Sequence, residues 1–229
     1  MNNTGHCSAL SPDAQLANPP FSGILKPLMA RHYQMKTTSE VLVSVDVETA
    51  GPYPGRYSLL SIGACLVLNP AATFYVELQP LSFDAVPDAL AISGLSLEQL
   101  SQRGLSPADA MLRFASWIET VSPAPARPVL VGFNAPFDWM FINDYFHRFL
   151  GYNPFGHSAL DIKAFYAGRN GAAWSETSLR HVVARYGGAP SLSHNALADA
   201  IDQATLMRAM LEEQPAAPRP HQPAQGEQS

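Results

Sequence analysis

Residues 41–68 read VLVSVDVETAGPYPGRYSLLSIGACLVL, and the order of their parts decides the fold class. The β-branched run VLVSVDV, 41–47, has the length and composition of a strand. The turn-rich GPYPGR ends it, and 57–68 predicts a second strand. A third is expected over 74–78. Connections this short imply that the three run antiparallel, because a parallel crossover needs about a dozen residues or more. Asp46 and Glu48 interrupt the first strand at alternate positions, and a period of two puts both side chains on one face. Two adjacent carboxylates there repel and raise each other's pKa unless a cation lies between them. A hard ion such as Mg²⁺ or Mn²⁺ takes such oxygens. The alternative is that Glu48 already lies in the loop, solvated, with Asp46 alone half-buried.

Downstream, Ser106 as N-cap, Pro107 at the first helical position and Met111, Leu112, Ala115 and Ile118 at helical spacing predict a helix over 106–120. PVLVGF, 128–133, is a short apolar strand, after which Asn134 and Pro136 open a helix over 137–150. Residues 157–161 predict a fifth strand, and 178–186 and 195–211 the closing helices. A strand meander followed by alternating helices and strands is an α/β pattern, a mixed sheet with helices on both faces.

Around this folded stretch, 40–213, residues 1–39 carry Pro12, Pro19, Pro20 and Pro27 with little periodicity and read as a poorly ordered leader. Met35 offers an alternative start. Residues 214–229, rich in proline and glutamine, read as a disordered tail. The length of 229 residues suits one domain, and 47% hydrophobic with 14% charged residues excludes a wholly disordered chain. Cys7 and Cys65 lie far apart, with Cys65 in an apolar run, which excludes a disulfide framework or a cysteine metal knuckle. No basic segment precedes an apolar stretch at the start, and no run reaches membrane-spanning length, so a cytoplasmic protein without a membrane role is expected. Fourteen basic against nineteen acidic residues, a net charge of −5, argues against coating long duplex nucleic acid. An acidic excess also suits carboxylates waiting for divalent cations, which reverse the local charge once bound.

Two further segments carry candidate chemistry. Asp138 stands in the first turn of the helix after PVLVGF, where an acid commonly does no more than complement the macrodipole. Its aromatic neighbours Phe137, Trp139, Phe141 and Phe146 read mainly as core. In SLSHNALADA, His194 and Asp199 are five residues apart, a turn of about 140° on a helix. They cannot share a helical face, so His194 belongs to the loop or cap and Asp199 to the helix. An imidazole beside a projecting acid suits a general base paired with a metal ligand. A capping histidine and a solvated aspartate is the plainer alternative.

In this order and at these separations, VDVETAG, GFNAPFD and HNALADA resemble the three exonuclease motifs of the DEDDh family, the DnaQ-like 3′–5′ exonucleases of the ribonuclease H-like fold. The match covers residues 41–211. The DVETAG form is most similar to ribonuclease T, on a skeleton shared with oligoribonucleases and proofreading subunits. The resemblance implies that Asp46, Glu48, Asp138 and Asp199 are the metal-site acids for two Mg²⁺ or Mn²⁺ ions and that His194 is the general base. It further implies that Thr49, Ala50 and Gly51, with Asn134 and Phe137, meet the 3′-terminal nucleotide. The chain departs from the pattern at Phe133, where many members carry histidine, and at Pro136. Asp161 resembles an aspartate that often precedes a helix in the family, and a simple cap explains it as well.

The implied activity is metal-dependent hydrolysis of terminal phosphodiesters at single-stranded 3′ ends, releasing nucleoside 5′-monophosphates from RNA or short oligonucleotides. A homodimer is expected from the same resemblance. Tyr53, Tyr57, Phe133 and Phe137 are candidates for stacking on unpaired bases, and Arg180, His181 and Arg185 for phosphate contacts. The rivals are a DNA proofreading or repair exonuclease and a catalytically silent nucleic-acid-binding module on the same fold.

Overall fold

The structure, a computed structural model, describes residues 39–188 and 193–213, so the leader to residue 38 and the tail from 214 lie outside the described residues. The β-branched run forms β1 (Glu40–Thr49), two residues longer at its end than its pattern suggests. It hydrogen-bonds antiparallel to β2 (Leu59–Leu66), and β2 likewise to β3 (Asn69–Glu77). On its other side β1 pairs in parallel with β4 (Arg127–Gly132), which pairs in parallel with the three-residue β5 (Ala159–Asp161). The sheet order is therefore β3-β2-β1-β4-β5, with the first three strands antiparallel as expected.

Seven α-helices among the described residues cover this sheet: α1 (Pro87–Ser93), α2 (Leu97–Arg103), α3 (Pro107–Val121), α4 (Pro136–Leu150), α5 (Ile162–Asn170), α6 (Leu179–Tyr186) and α7 (Ala196–Glu212). Alternation along β1 sends Val43, Val45 and Val47 into a core with Met111 and Phe114 of α3 and Phe141 and Phe146 of α4. The opposite face carries Leu42 against Val131, Ile162, Val182 and Met207, under α5, α6 and α7. Helices thus lie on both faces, and the even-numbered residues of β1, Asp46 and Glu48 among them, point to the α7 side.

Two close contacts fix where the helices end relative to β1. Tyr145 of α4 accepts the Leu59 N–H through its hydroxyl oxygen at 2.9 Å, beside a bulge where the β1–β2 register slips between Glu48 and Thr49. Gly63 of β2 pairs with Asp46, and a Cβ there would lie 2.1 Å from the Ala196 backbone carbon and 2.2 Å from the Leu197 nitrogen. Only a residue without a side chain lets the first turn of α7 press onto the sheet at that point.

The helices α1, α2 and α5 are additions to the sequence reading. At seven to nine residues they are too short for a 3.6-residue period to stand out. Their caps are legible, with Ser96 accepting the Gln99 N–H at the start of α2 and Asp161 the Ala164 N–H at the start of α5. Cys65 is a buried free thiol. Among the described residues no helix is long and apolar enough to cross a membrane.

Candidate active site

The carboxyl end of β1 supplies Asp46 and Glu48, and the first turn of α4 brings Asp138 beside them. Asp138 Oδ1 accepts the Val47 N–H at 3.1 Å, so this acid is tied to the strand between the other two. It is buried, and its role therefore exceeds that of a solvated complement to the helix dipole. Pro136 fits here because a residue in the first helical turn has no intrahelical use for an N–H. Asp161 anchors the same corner. Its Oδ2 accepts the Ala135 N–H and its Oδ1 the Ala164 N–H, both at 2.7 Å, so it caps α5 and ties down the start of α4 at once.

The start of α7 closes the site from the other side. Asp199 Oδ1 accepts the Ser193 N–H at 2.7 Å and its hydroxyl at 2.8 Å, while Oδ2 accepts the His194 N–H at 2.9 Å. His194 precedes the N-cap Asn195 and has φ of +56°, which folds its backbone back over the acid. His194 thus lies in the loop before the N-cap and Asp199 in the first turn of α7, so the two do not share a helical face. Asn134, at φ of +66°, is the other non-glycine residue in the left-handed region among those described, and both border the same cleft. Strained backbone of this kind costs of order 1–3 kcal/mol and clusters at functional sites.

The cleft, of about 200 Å³, gathers Asp46, Glu48, Asp138, His194 and Asp199, with Phe133, Asn134 and Phe137 along its wall. Glu48, His194 and Asp199 each offer a ligand atom within 4.8 Å of the others. The carboxyl groups strain against one another. Burial, reinforced by Asp138, Glu48 and Asp199, pushes Asp46 far above the usual carboxylate range, although a bond from Gln203 opposes the shift. Burial, then Asp199, raises Glu48 to about 7, so Glu48 is no solvated loop residue. Burial likewise raises Asp138 to about 8 against the opposing bonds from backbone N–H groups. Desolvated carboxylates crowded in one cleft are the chemistry a divalent cation relieves, and the carboxylate donors fit such an ion.

Gln203 is a site residue that the motifs do not contain. Its Nε2–H donates to Asp46 Oδ1 at 2.7 Å, and its Oε1 accepts the Phe133 N–H at 2.9 Å. One buried amide therefore couples the β1 acid to the β4 end that carries Phe133 and Asn134. The available signal is its spacing of four from Asp199, which puts both on one face of α7.

Other expected contacts are not brought to the cleft. Ala50 is fully buried against Leu60, Leu97 and Leu100, with its N–H given to Ser58 and its carbonyl taken by Val86. It has no free surface for a nucleotide, contrary to the expectation, because the chain after β1 turns inward into this small core. Thr49 is buried too and donates its hydroxyl to the Gly51 carbonyl, while Gly51 is closed over by the Tyr57 ring. Tyr57 also packs against Tyr53 and Arg56, leaving it poorly placed as a platform. Arg185 is committed to Glu213 at 2.8 Å, together with Arg169 and Tyr186, and the exposed His181 to Ser178.

No protein-family model matches the chain. It is 49% identical over 174 residues to the 3′–5′ DNA exonuclease Cap18 of Escherichia coli, covering 76% of this chain and 93% of that protein. The solved nuclease domain of 3′hExo, a DEDDh family member bound to rAMP, superposes with a TM-score of 0.61 at 16% identity, over 77% of this chain and 94% of that one. Escherichia coli exonuclease I in complex with a dT13 oligonucleotide gives a TM-score of 0.55 at 23% identity, over 76% of this chain and 41% of that one. At these identities the two structural likenesses speak for the fold alone.

Proposed function

The chain belongs to the DEDDh 3′–5′ exonucleases, and from that membership we propose that it shortens single-stranded RNA or short oligonucleotides from the 3′ end with Mg²⁺ or Mn²⁺, releasing nucleoside 5′-monophosphates. The observation that carries this reading is the convergence of Asp46, Glu48, Asp138, Asp199 and His194 on one cleft. Divalent ions held by the four acids would supply an activated water and neutralise charge on the leaving 3′ oxygen. Val47 orients Asp138 through its N–H, Gln203 orients Asp46, and Ser193 with the His194 N–H orients Asp199. These bonds hold the donors before substrate arrives, which lowers the reorganisation needed in the transition state. His194, its backbone pinned and its side chain exposed at the cleft, takes the proton from the attacking water. The new bond joins that water oxygen to phosphorus, and the bond to the upstream 3′ oxygen breaks. Phe133, Asn134 and Phe137 form the wall against which the terminal nucleotide lies.

A second reading, DNA as the principal substrate, is favoured by the name of the Escherichia coli relative, a 3′–5′ DNA exonuclease. Discrimination rests on contacts to the 2′-hydroxyl. Digestion of matched RNA and DNA strands labelled at the 3′ or 5′ end, with Mg²⁺, Mn²⁺ or chelator, tests both. The proposal expects immediate release of labelled mononucleotide from the 3′ label, a descending ladder from the 5′ label, and silence with chelator. Internal fragments as first products, or release with chelator, would reject it. The rate ratio between RNA and DNA decides the substrate. A cytoplasmic location and a homodimeric state complete the proposal, to be checked by fractionation and sedimentation.

A further inference from the structure

We propose that Trp174 and Lys163 form an upstream contact for the substrate strand, the indole stacking on an unpaired base and the Lys163 ammonium facing an adjacent phosphate. This deepens the exonuclease reading and rests on it.

Trp174 is 61% exposed, an unusual position for the largest apolar side chain. It is held there by its backbone. A 3₁₀ turn, Trp174–Glu176, is closed by the Ala173 N–H donating to Glu176 Oε2 at 2.9 Å. The Trp174 carbonyl accepts both the N–H and the hydroxyl of Thr177, at 3.2 and 2.8 Å, and Thr177 is fully buried. A ring presented from so well anchored a turn loses little freedom on binding. Lys163 Nζ lies 4.7 Å from the indole centroid, so a cation already sits on this aromatic while most of its surface stays open.

Position and charge both point to the strand. Lys163 stands two residues after Asp161 and just before Ala164, and Asp161 joins the Ala164 N–H to the Ala135 N–H, next to Asn134 of the cleft wall. The pair therefore stands at the cleft end of α5. Residues 162–188 carry Lys163, Arg169, Arg180 and Arg185 against Glu176, a net of +3. Arg169 and Arg185 are paired with Glu213 at the end of α7, which leaves Lys163 and Arg180 as the cations without an ion pair among the described residues of this stretch. The other described residues carry 6 basic and 16 acidic groups, a net of −10. Where the other described residues are acidic overall, this cationic stretch begins with Lys163 in the first turn of α5. An exposed aromatic paired with a cation grips single strands without sequence preference.

The test uses the full chain. Tryptophan emission is followed while an oligothymidylate is added in chelator, where no hydrolysis interferes; Trp117 and Trp139 are half-buried and respond less. Wild-type protein should be quenched and the Trp174→Ala variant should not. In steady-state assays, Trp174→Ala should raise KM on a long strand roughly tenfold with kcat unchanged. Its hydrolysis of a dinucleotide, too short to reach the ring, should match wild type, and Trp174→Phe should restore the long-strand KM. Lys163→Ala should weaken long-strand binding and flatten its salt dependence. A Trp174→Ala enzyme with wild-type KM on the long strand, or with wild-type quenching, overturns the proposal, as does equal loss on dinucleotide and long strand that Trp174→Phe does not repair. Failure of the exonuclease reading is distinct, since it would show as no hydrolysis by wild type while the quenching titration still reports binding.

Discussion

Gly63→Ala is a one-carbon change, away from every acid in sequence, that should disable the enzyme. The added Cβ would sit 2.1 Å from the Ala196 carbonyl carbon and 2.2 Å from its oxygen and from the Leu197 nitrogen, all backbone atoms that no rotamer change can move. Ordinary contact begins at 3.4 Å, so the first turn of α7 must retreat from β2 by about 1.3 Å. That turn carries Asp199 and is capped from the loop that carries His194, whereas Asp46 stays on β1 directly opposite Gly63. The retreat therefore opens the distance between acids that must act together. Overpacking of this size costs about 1–3 kcal/mol of stability. The catalytic loss should be larger in proportion, because a misplacement of about 1 Å can cost about 100-fold in rate. Thermal unfolding and single-turnover hydrolysis of a 3′-labelled oligonucleotide measure the two effects. Gly168→Ala is the control, since a Cβ there meets nothing within 4 Å, and it should leave the rate alone and add up to about 1 kcal/mol of stability. A Gly63→Ala enzyme that keeps wild-type rate would refute the reasoning, because the α7–β2 approach would then not set the site.

Other consequences are open to measurement. Glu48 and Asp138 have their pKa raised in the folded chain, to about 7 and about 8, above the ordinary 4.5 and 3.8, so each favours folding while protonated. Stability of the metal-free protein should be full below about pH 4 as far as these groups contribute and should decline as pH rises toward 8, while added Mg²⁺ should restore more at pH 8 than at pH 5. Melting in chelator across this range checks it, and a metal-free melting point that climbs steadily from pH 5 to 8 would contradict it. His194→Ala should slow hydrolysis strongly while calorimetric Mn²⁺ affinity stays near wild type; a large loss of affinity would make the histidine a ligand. Gln203→Met should cost about 1–3 kcal/mol, since it strands the half-buried Phe133 N–H, and should lower kcat as Asp46 loses its tether. Unchanged stability and rate would mean the amide has no positioning role.

The strand pattern and the ordered motifs made the sheet and the convergence of the acids legible, because a period of two and a fixed chain order survive translation into space. Asp46 and Glu48 could be put on one face from alternation alone, and His194 in the loop from helical geometry alone. Gln203 was not legible, since a glutamine four residues past an aspartate has no meaning until the Phe133 N–H and Asp46 are seen to meet it. The misreading of Ala50 has a similar cause. A small-residue turn suits close approach by a ligand or by the protein's own chain, and here Leu60, Leu97 and Leu100 fill the space. Arg185 lay on a plausible phosphate-facing helix, but its partner Glu213 is 28 residues away and only the fold brings them together.

The account turns on carboxylates from β1, α4 and α7 jointly holding divalent ions in one cleft. Anomalous diffraction from crystals soaked with Mn²⁺ and a nucleoside 5′-monophosphate tests this most directly. Two peaks among Asp46, Glu48, Asp138 and Asp199, with the phosphate between them and His194, are the expected result. Manganese bound only elsewhere on the surface, or a nucleotide seated away from these acids, would contradict it.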